Sequence, residues 1–131
     1  MRSSLSFPRL SFALLALAVV AVLAFANSPA KAASCPAPTF AGGSFSSVTV
    51  TKATCGDAAK VLPAFTACRT KTGPSGRCVS KVNGYACIEI RTNGPTSFSS
   101  NGKCTRVKTK KVKKKKKKTK YVISFSYTQN L

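Results

Sequence analysis

Residues 121–128 read YVISFSYT, and this segment carries the clearest structural pattern in the chain. Smaller or more polar side chains alternate there with four larger ones, Tyr121, Ile123, Phe125 and Tyr127. Because successive side chains of a strand point to opposite faces of a sheet, this alternation predicts a half-buried β-strand.

A lysine-rich segment, residues 108–120, lies directly before this strand, and ten of its 13 residues are Lys. Such a block repels itself and buries no apolar surface, so we expect a mobile, solvated hairpin loop. Val107, Thr109 and Val112 favour strand structure, so the flanking strands could extend into it. The candidate anion-binding residues are its lysines: Lys108, Lys110, Lys111, Lys113, Lys114, Lys115, Lys116, Lys117, Lys118 and Lys120.

Three other segments are predicted strands, at about 45–51, 85–91 and 97–107. In the second of them, Ala86, Ile88 and Ile90 share one face, while Cys87 and Glu89 lie on the other.

One helix is predicted at about 55–68. Thr54 and Asp57 have the spacing of a capping box, and the apolar residues that follow recur at helical intervals. Pro63 interrupts this helix and should bend it, because proline removes a backbone hydrogen bond.

The order strand, helix, three strands predicts an α+β fold in which one helix packs on an antiparallel sheet of about four strands. A single domain would span residues 45–131 and carry the lysine-rich hairpin loop at 108–120. The Pro-, Gly- and Ser-rich residues 34–44 should form an irregular N-terminal arm.

Residues 1–33 have the features of a secretory signal peptide. Arg2 and Arg9 precede an unbroken apolar run of 15 residues, 12–26, which is too short to span a bilayer. Small residues around Ala32 then predict cleavage after Ala32 or Ala33 and export of the remainder, either secreted or associated with the cell envelope. A lipid anchor on Cys35 is the alternative, because Ala32 to Cys35 faintly resembles a lipobox.

The exported part is small, basic and rich in cysteine. It keeps 19 of the 22 Lys and Arg residues and both acidic residues, so its net charge is +17. An even number of cysteines in a short exported chain predicts disulfides, and a zinc site is disfavoured because the chain has no His. The predicted disulfide residues are Cys35, Cys55, Cys68, Cys78, Cys87 and Cys104.

The composition argues against catalysis. Without His, the commonest general base at neutral pH is missing. Asp57 is explained by its helix-start position, and Glu89 by an ion pair with Arg91 or with Lys on a neighbouring strand. We therefore expect no enzyme activity, no catalytic residue, no metal, no cofactor and no small-molecule substrate.

Four short motifs resemble a group of small exported actinobacterial proteins of uncharacterised function: Val48-Thr-Val50, Cys55-x-x-Ala58-x-x-Val61, Asn83-Gly-Tyr85-Ala-Cys87 and the aromatic strand 121–127. The resemblance implies a bacterial envelope or extracellular setting, and a Cys55–Cys87 disulfide that bridges helix and sheet.

With that bridge, the predicted pairing is completed by Cys68–Cys78, which closes a short turn-rich loop, and by Cys35–Cys104. The main alternative is Cys87–Cys104, which an antiparallel hairpin turning near residues 94–97 would place opposite each other.

These features predict a small, monomeric binding module whose lysines contact an anionic cell-envelope polymer, an anionic lipid surface or nucleic acid in a sequence-independent way. No aromatic residue interrupts the lysines, so base stacking is not expected to contribute. The alternative is a protein-interaction or inhibitor domain in which the lysines only aid solubility.

Overall fold

The computed structural model describes residues 29–131, so most of the predicted signal peptide lies outside the described residues. Six strands are present: β1 (Ala33–Ser34), β2 (Thr39–Phe40), β3 (Gly43–Thr51), β4 (Ala86–Asn93), β5 (Ser97–Val112) and β6 (Lys115–Asn130). Helix α1 (Cys55–Arg69) and a 3-10 turn (Thr70–Thr72) connect β3 to the later strands. Within 29–131, no helix has both the length and the apolar character needed to cross a bilayer.

The sheet is antiparallel throughout, and its strand order is β1-β3-β6-β5-β4, with β2 also paired to β3. The α+β class with one helix on an antiparallel sheet is confirmed, but the sheet has six strands rather than about four. The additional strands are β1 and β2, which come largely from the predicted irregular arm. β1 and β2 are extended because they pair with β3. Their own residues show no alternation that would predict a strand.

Alternate residues of the long strands form a buried inner face. Ile123, Phe125 and Tyr127 of β6 lie on this face and are at most 3% exposed, as the alternation of residues 121–128 predicts. Phe125 lies across from Gly102, where a Cβ atom would come within 2.3 Å of its ring, so that glycine leaves the space the aromatic ring fills.

Helix α1 begins with the predicted capping box. The Asp57 backbone N–H donates to the Thr54 hydroxyl at 3.0 Å, and the Thr54 backbone N–H donates to the Asp57 carboxylate at 3.0 Å. The helix continues through Pro63 to Arg69, and the bend expected at Pro63 stays a prediction. Its buried stripe consists of Ala58, Val61, Leu62, Phe65 and Arg69.

Strand β4 turns its apolar side away from the core. Ile88 and Ile90 are 71% and 80% exposed, whereas Glu89 and Arg91 point inward with side chains only 6% exposed. The sequence pattern correctly predicted which residues share each face of this strand. Alternation alone does not predict which of the two faces is buried against the rest of the domain.

All six cysteines form disulfides, in the pairs Cys35–Cys55, Cys68–Cys78 and Cys87–Cys104. Of the predicted scheme, only the Cys68–Cys78 bridge is confirmed.

The predicted Cys55–Cys87 and Cys35–Cys104 bridges are wrong. Cys87 and Cys104 are direct partners in the β4–β5 register, and β1 brings Cys35 beside β3, close to the start of the helix. Three disulfides indicate an oxidising environment.

Candidate anion-binding ribbon

The lysine-rich segment 108–120 is a β-hairpin, which corrects the prediction of a loop. Strands β5 and β6 stay paired to their last residues, Val112 and Lys115. Lys113 and Lys114 form the turn with φ values of 45° and 64°. Positive φ at both turn residues is typical of a type I′ turn, whose twist matches that of the adjoining strands.

The outer part of this hairpin has no third strand beside it within residues 29–131. Pairing with β3 ends at Val122, and pairing with β4 ends at Thr105. We call residues 107–120 the lysine ribbon. Its six cross-strand pairs, from Val107↔Lys120 to Val112↔Lys115, extend about 20 Å at the usual rise per strand residue.

The continuous register of the ribbon distributes its lysines equally between two faces. The front face continues the buried face of the sheet, and its lysines are Lys108, Lys110, Lys115 and Lys117. The back face continues the open face of the sheet, and its lysines are Lys111, Lys116, Lys118 and Lys120. All of them, and the turn residues Lys113 and Lys114, are exposed.

The ribbon lacks negative charge of its own. Lys110 lies directly across from Lys117, and Lys111 directly across from Lys116, so like charges face each other on both sides. The two ion pairs found among residues 29–131 are Arg91–Glu89 and Arg106–Asp57, and neither includes a ribbon lysine. Unneutralised charge of one sign raises the local concentration of anions.

Arg106 attaches the base of the ribbon to the start of helix α1. Its guanidinium lies 4.4 Å from the Tyr85 ring centroid and 5.4 Å from that of Tyr121, and its Nη2 atom is 3.5 Å from the Asp57 carboxylate. On the front face, the Lys108 ammonium is 5.7 Å from the Tyr121 ring centroid. The base of the ribbon therefore packs on aromatic rings of the domain.

The pKa of Asp57 is lowered from its ordinary value. The hydrogen bond from the Thr54 backbone N–H is the main cause, and it outweighs the opposing effect of burial. The Thr54 hydroxyl and the positive charges of Arg106 and Lys108 lower it further. Asp57 thus stays an anion that joins the helix start to the ribbon base.

Glu89, the other acidic residue of the described chain, is held inside the domain. Its carboxylate pairs with Arg91 at 2.5 Å, as predicted, and accepts hydrogen bonds from the Ser100 hydroxyl at 3.1 Å and from the Tyr127 hydroxyl. Burial and the bond to Glu89 raise the pKa of Tyr127 to about 12. The polar groups around Glu89 satisfy its charge, which fits a structural role.

A second buried cation, Arg69, was not anticipated from the sequence. Its guanidinium donates to the Gln129 side chain at 2.6 Å and to the Pro74 carbonyl at 2.7 Å, and lies 4.9 Å from the Tyr127 ring centroid. Burial lowers the pKa of Arg69. Its position four residues after Phe65 continues the apolar stripe of the helix, and that spacing is the signal by which it could have been found.

Chemically, the lysine ribbon offers ammonium groups and two Thr hydroxyls, and the Asp57 carboxylate near its base is held in the helix capping box. Among residues 29–131, no three side chains of His, Cys, Asp or Glu come together as a metal site would require. Comparison with protein-family models, curated proteins and solved structures finds no match for this chain, so its function has to be inferred from its own residues.

Proposed function

We propose that this protein is a small secreted binding module that holds polyanions with its lysine ribbon. The supporting observation is the presence of ten exposed lysines on one hydrogen-bonded hairpin, none of which forms an ion pair within residues 29–131. Envelope polymers, anionic lipid surfaces and nucleic acids share the chemistry that this ribbon recognises, which is closely spaced anionic groups such as phosphates. Binding would release counterions from the polyanion, so affinity should fall steeply with salt.

The oxidised state of the six cysteines supports a site of action outside the cytoplasm. The features of a signal peptide in residues 1–33 agree with that location. A catalytic role is not part of the proposal, because both carboxylates of residues 29–131 have structural partners, Asp57 in the helix cap and Glu89 in a buried polar network.

A ribbon-shortened variant tests this function. Replacing residues 109–118 by Asn-Gly removes eight lysines and places the new turn between Lys108 and Thr119, which are direct partners. Cross-strand pairs alternate between hydrogen-bonded and non-hydrogen-bonded types. Lys108↔Thr119 is an even number of residues along each strand from Val112↔Lys115, so both pairs are of the same type and a two-residue turn can close either of them. The domain should fold as before.

The measurement is the affinity of both proteins for heparin, duplex DNA and anionic vesicles over a range of salt concentrations. We expect the variant to lose most of its affinity and most of its salt dependence. The control variant keeps the ribbon at its parental length and replaces the same eight lysines by Gln. It therefore removes the charge of these lysines without removing the hairpin. If the shortened protein binds every polyanion as tightly as the parent does, the proposed function is wrong.

A protein-interaction domain is the second candidate, and strand β4 supports it. This strand is at the edge of the sheet and exposes Ile88 and Ile90. An exposed apolar edge strand can pair with a strand from another protein. Such a contact would depend weakly on salt, and substituting Ile88 and Ile90 by Thr would remove it while leaving polyanion binding unchanged.

A further inference from the structure

We infer that the polyanion held by the lysine ribbon is a nucleic-acid duplex, and that the ribbon enters a groove with its two faces turned toward the phosphates of the two walls. This inference rests on the proposed function and adds the identity of the partner. Four features of the ribbon lead to it: its dimensions, its two charged faces, its lack of aromatic rings and its lack of an apolar face.

The dimensions of the ribbon suit a groove. The major groove of B-form DNA is about 12 Å wide and admits a two-stranded β-ribbon. The lysine ribbon consists of two strands with no third strand beside them within residues 29–131, and it extends about 20 Å past the sheet at the usual rise per residue. The rest of the domain can therefore stay outside the groove while the ribbon is inserted.

The distribution of charge distinguishes a groove from a flat surface. Four lysines lie on the front face and four on the back face, and all are exposed. A ribbon resting on a membrane would use one face and leave four charges without a partner. A groove has a row of phosphates on each wall, so both faces can make contacts at the same time.

The other side chains of the ribbon argue against two of the competing polyanions, single-stranded nucleic acid and an anionic lipid surface. The ribbon contains only Lys, Thr and Val, so it has no aromatic ring on which the bases of a single strand could stack. Val107 is on the back face and Val112 on the front face, so no apolar face exists to enter a lipid surface. The ribbon has no Asn or Gln to read adenine and no acidic side chain to read cytosine, and the Lys ammonium is a compact point charge suited to phosphate, so binding should depend little on base sequence.

Three variants with equal net charge test the groove. Each replaces four exposed lysines by Gln: the front-face set Lys108, Lys110, Lys115 and Lys117; the back-face set Lys111, Lys116, Lys118 and Lys120; and a control set on the domain body, Lys60, Lys71, Lys81 and Lys103. Because the charge removed is the same, differences among them report the position of the lysines and not the overall attraction.

The probe is a labelled DNA duplex of about two helical turns, titrated at several salt concentrations, with its separated single strand and anionic phosphatidylglycerol vesicles in parallel. We expect the front-face and back-face variants to weaken duplex binding to a similar extent, by at least about tenfold, and each to reduce the salt slope by about 3 to 4 units if every lysine meets a phosphate. The body variant should keep the parental slope.

A chemical footprint gives a second readout. Guanine N7 lies in the major groove, so its methylation by dimethyl sulfate should be reduced in the complex with the parent and restored with either face variant. Variants with Arg in place of Gln at the front-face or back-face positions keep the charge, so they should preserve the parental salt slope. Comparing the Arg and Gln variants separates an effect of lost charge from an effect of a disrupted hairpin.

The failures of the two proposals are distinguishable. Loss of duplex binding in only one face variant, tighter binding to the single strand, or preference for vesicles would each overturn the groove, while the polyanion function would stand. If neither face variant nor the ribbon-shortened variant changes binding to any probe, the polyanion function fails as well.

Discussion

The two acidic residues of the described chain have different surroundings, although the sequence shows them as isolated charges among many cations. Asp57 is partly exposed at the helix start, where the spacing to Thr54 allowed its role to be predicted. An ion pair of Glu89 with Arg91 or with Lys on a neighbouring strand was also predicted; Arg91 is the partner, and the burial of the pair was not predicted. Alternation places the two side chains on one face, but it does not show that this face is covered; the loop after the helix contributes the cover, since the Ser75 and Gly76 carbonyls accept hydrogen bonds from Arg91.

Glu89→Gln and Asp57→Asn raise the net charge by the same amount and should differ strongly in their effect on stability. Glu89→Gln leaves the Arg91 guanidinium buried without its counter-charge, so we expect a loss of about 3 kcal/mol in unfolding free energy. Asp57→Asn weakens an exposed cap and should cost about 1 kcal/mol. Denaturant unfolding measures both, and equal losses would show that Glu89 does not act through burial.

The raised pKa of Tyr127 predicts a loss of stability at high pH. Burial and the Glu89 carboxylate raise this pKa from 10.0 to about 12, so the folded protein holds the phenolic proton more tightly than the unfolded chain does. The contribution is fully present below pH 10 and is lost as the pH rises toward about 12. The stability difference between the parent and Tyr127→Phe should therefore shrink across this range in urea unfolding. A difference that stays constant would contradict the assignment.

At the scale of elements, the helix and the last strand were predictable because each buries a periodic apolar stripe. For the lysine ribbon, which lacks an apolar face, the sequence predicted a loop into which the flanking strands could extend through the strand propensity of Val107, Thr109 and Val112. The register of the ribbon is set in the part of β5 and β6 that lies in the core, where the buried residues Cys104 and Ile123 are direct partners. Strand pairing then propagates outward from that core, against the repulsion of facing lysines.

The turn of the ribbon offers a test of this account. Lys113 and Lys114 adopt positive φ, which costs a residue with a side chain about 1 kcal/mol, whereas Asn-Gly suits a type I′ turn. Lys113→Asn with Lys114→Gly should increase the hydrogen-exchange protection of the ribbon amides by about fivefold, equivalent to about 1 kcal/mol. The matched control, Lys116→Asn with Lys117→Gly, places the same residues inside a strand and should reduce protection. The opposite order would exclude a type I′ turn.

At the scale of the whole molecule, the fold combines a small core, a high positive charge and three covalent bridges. The single helix on an antiparallel sheet could be predicted from the order of the elements. The disulfide pairing was predictable in part: Cys68–Cys78 was predicted and Cys87–Cys104 was the main alternative, whereas Cys35–Cys55 depends on where β1 docks. The docking of β1 on β3 is a tertiary contact that cysteine spacing does not encode.

The order of these bridges along the chain has a consequence for biosynthesis. The first cysteine pairs with the second, the third with the fourth and the fifth with the sixth, across separations of 20, 10 and 17 residues. No bridge encloses or interlocks with another. A chain that enters an oxidising compartment from its N-terminus can thus close each bridge with the next cysteine to emerge, before a wrong partner arrives. Vectorial oxidation of this kind would give the native pairing without a disulfide isomerase to reshuffle scrambled intermediates.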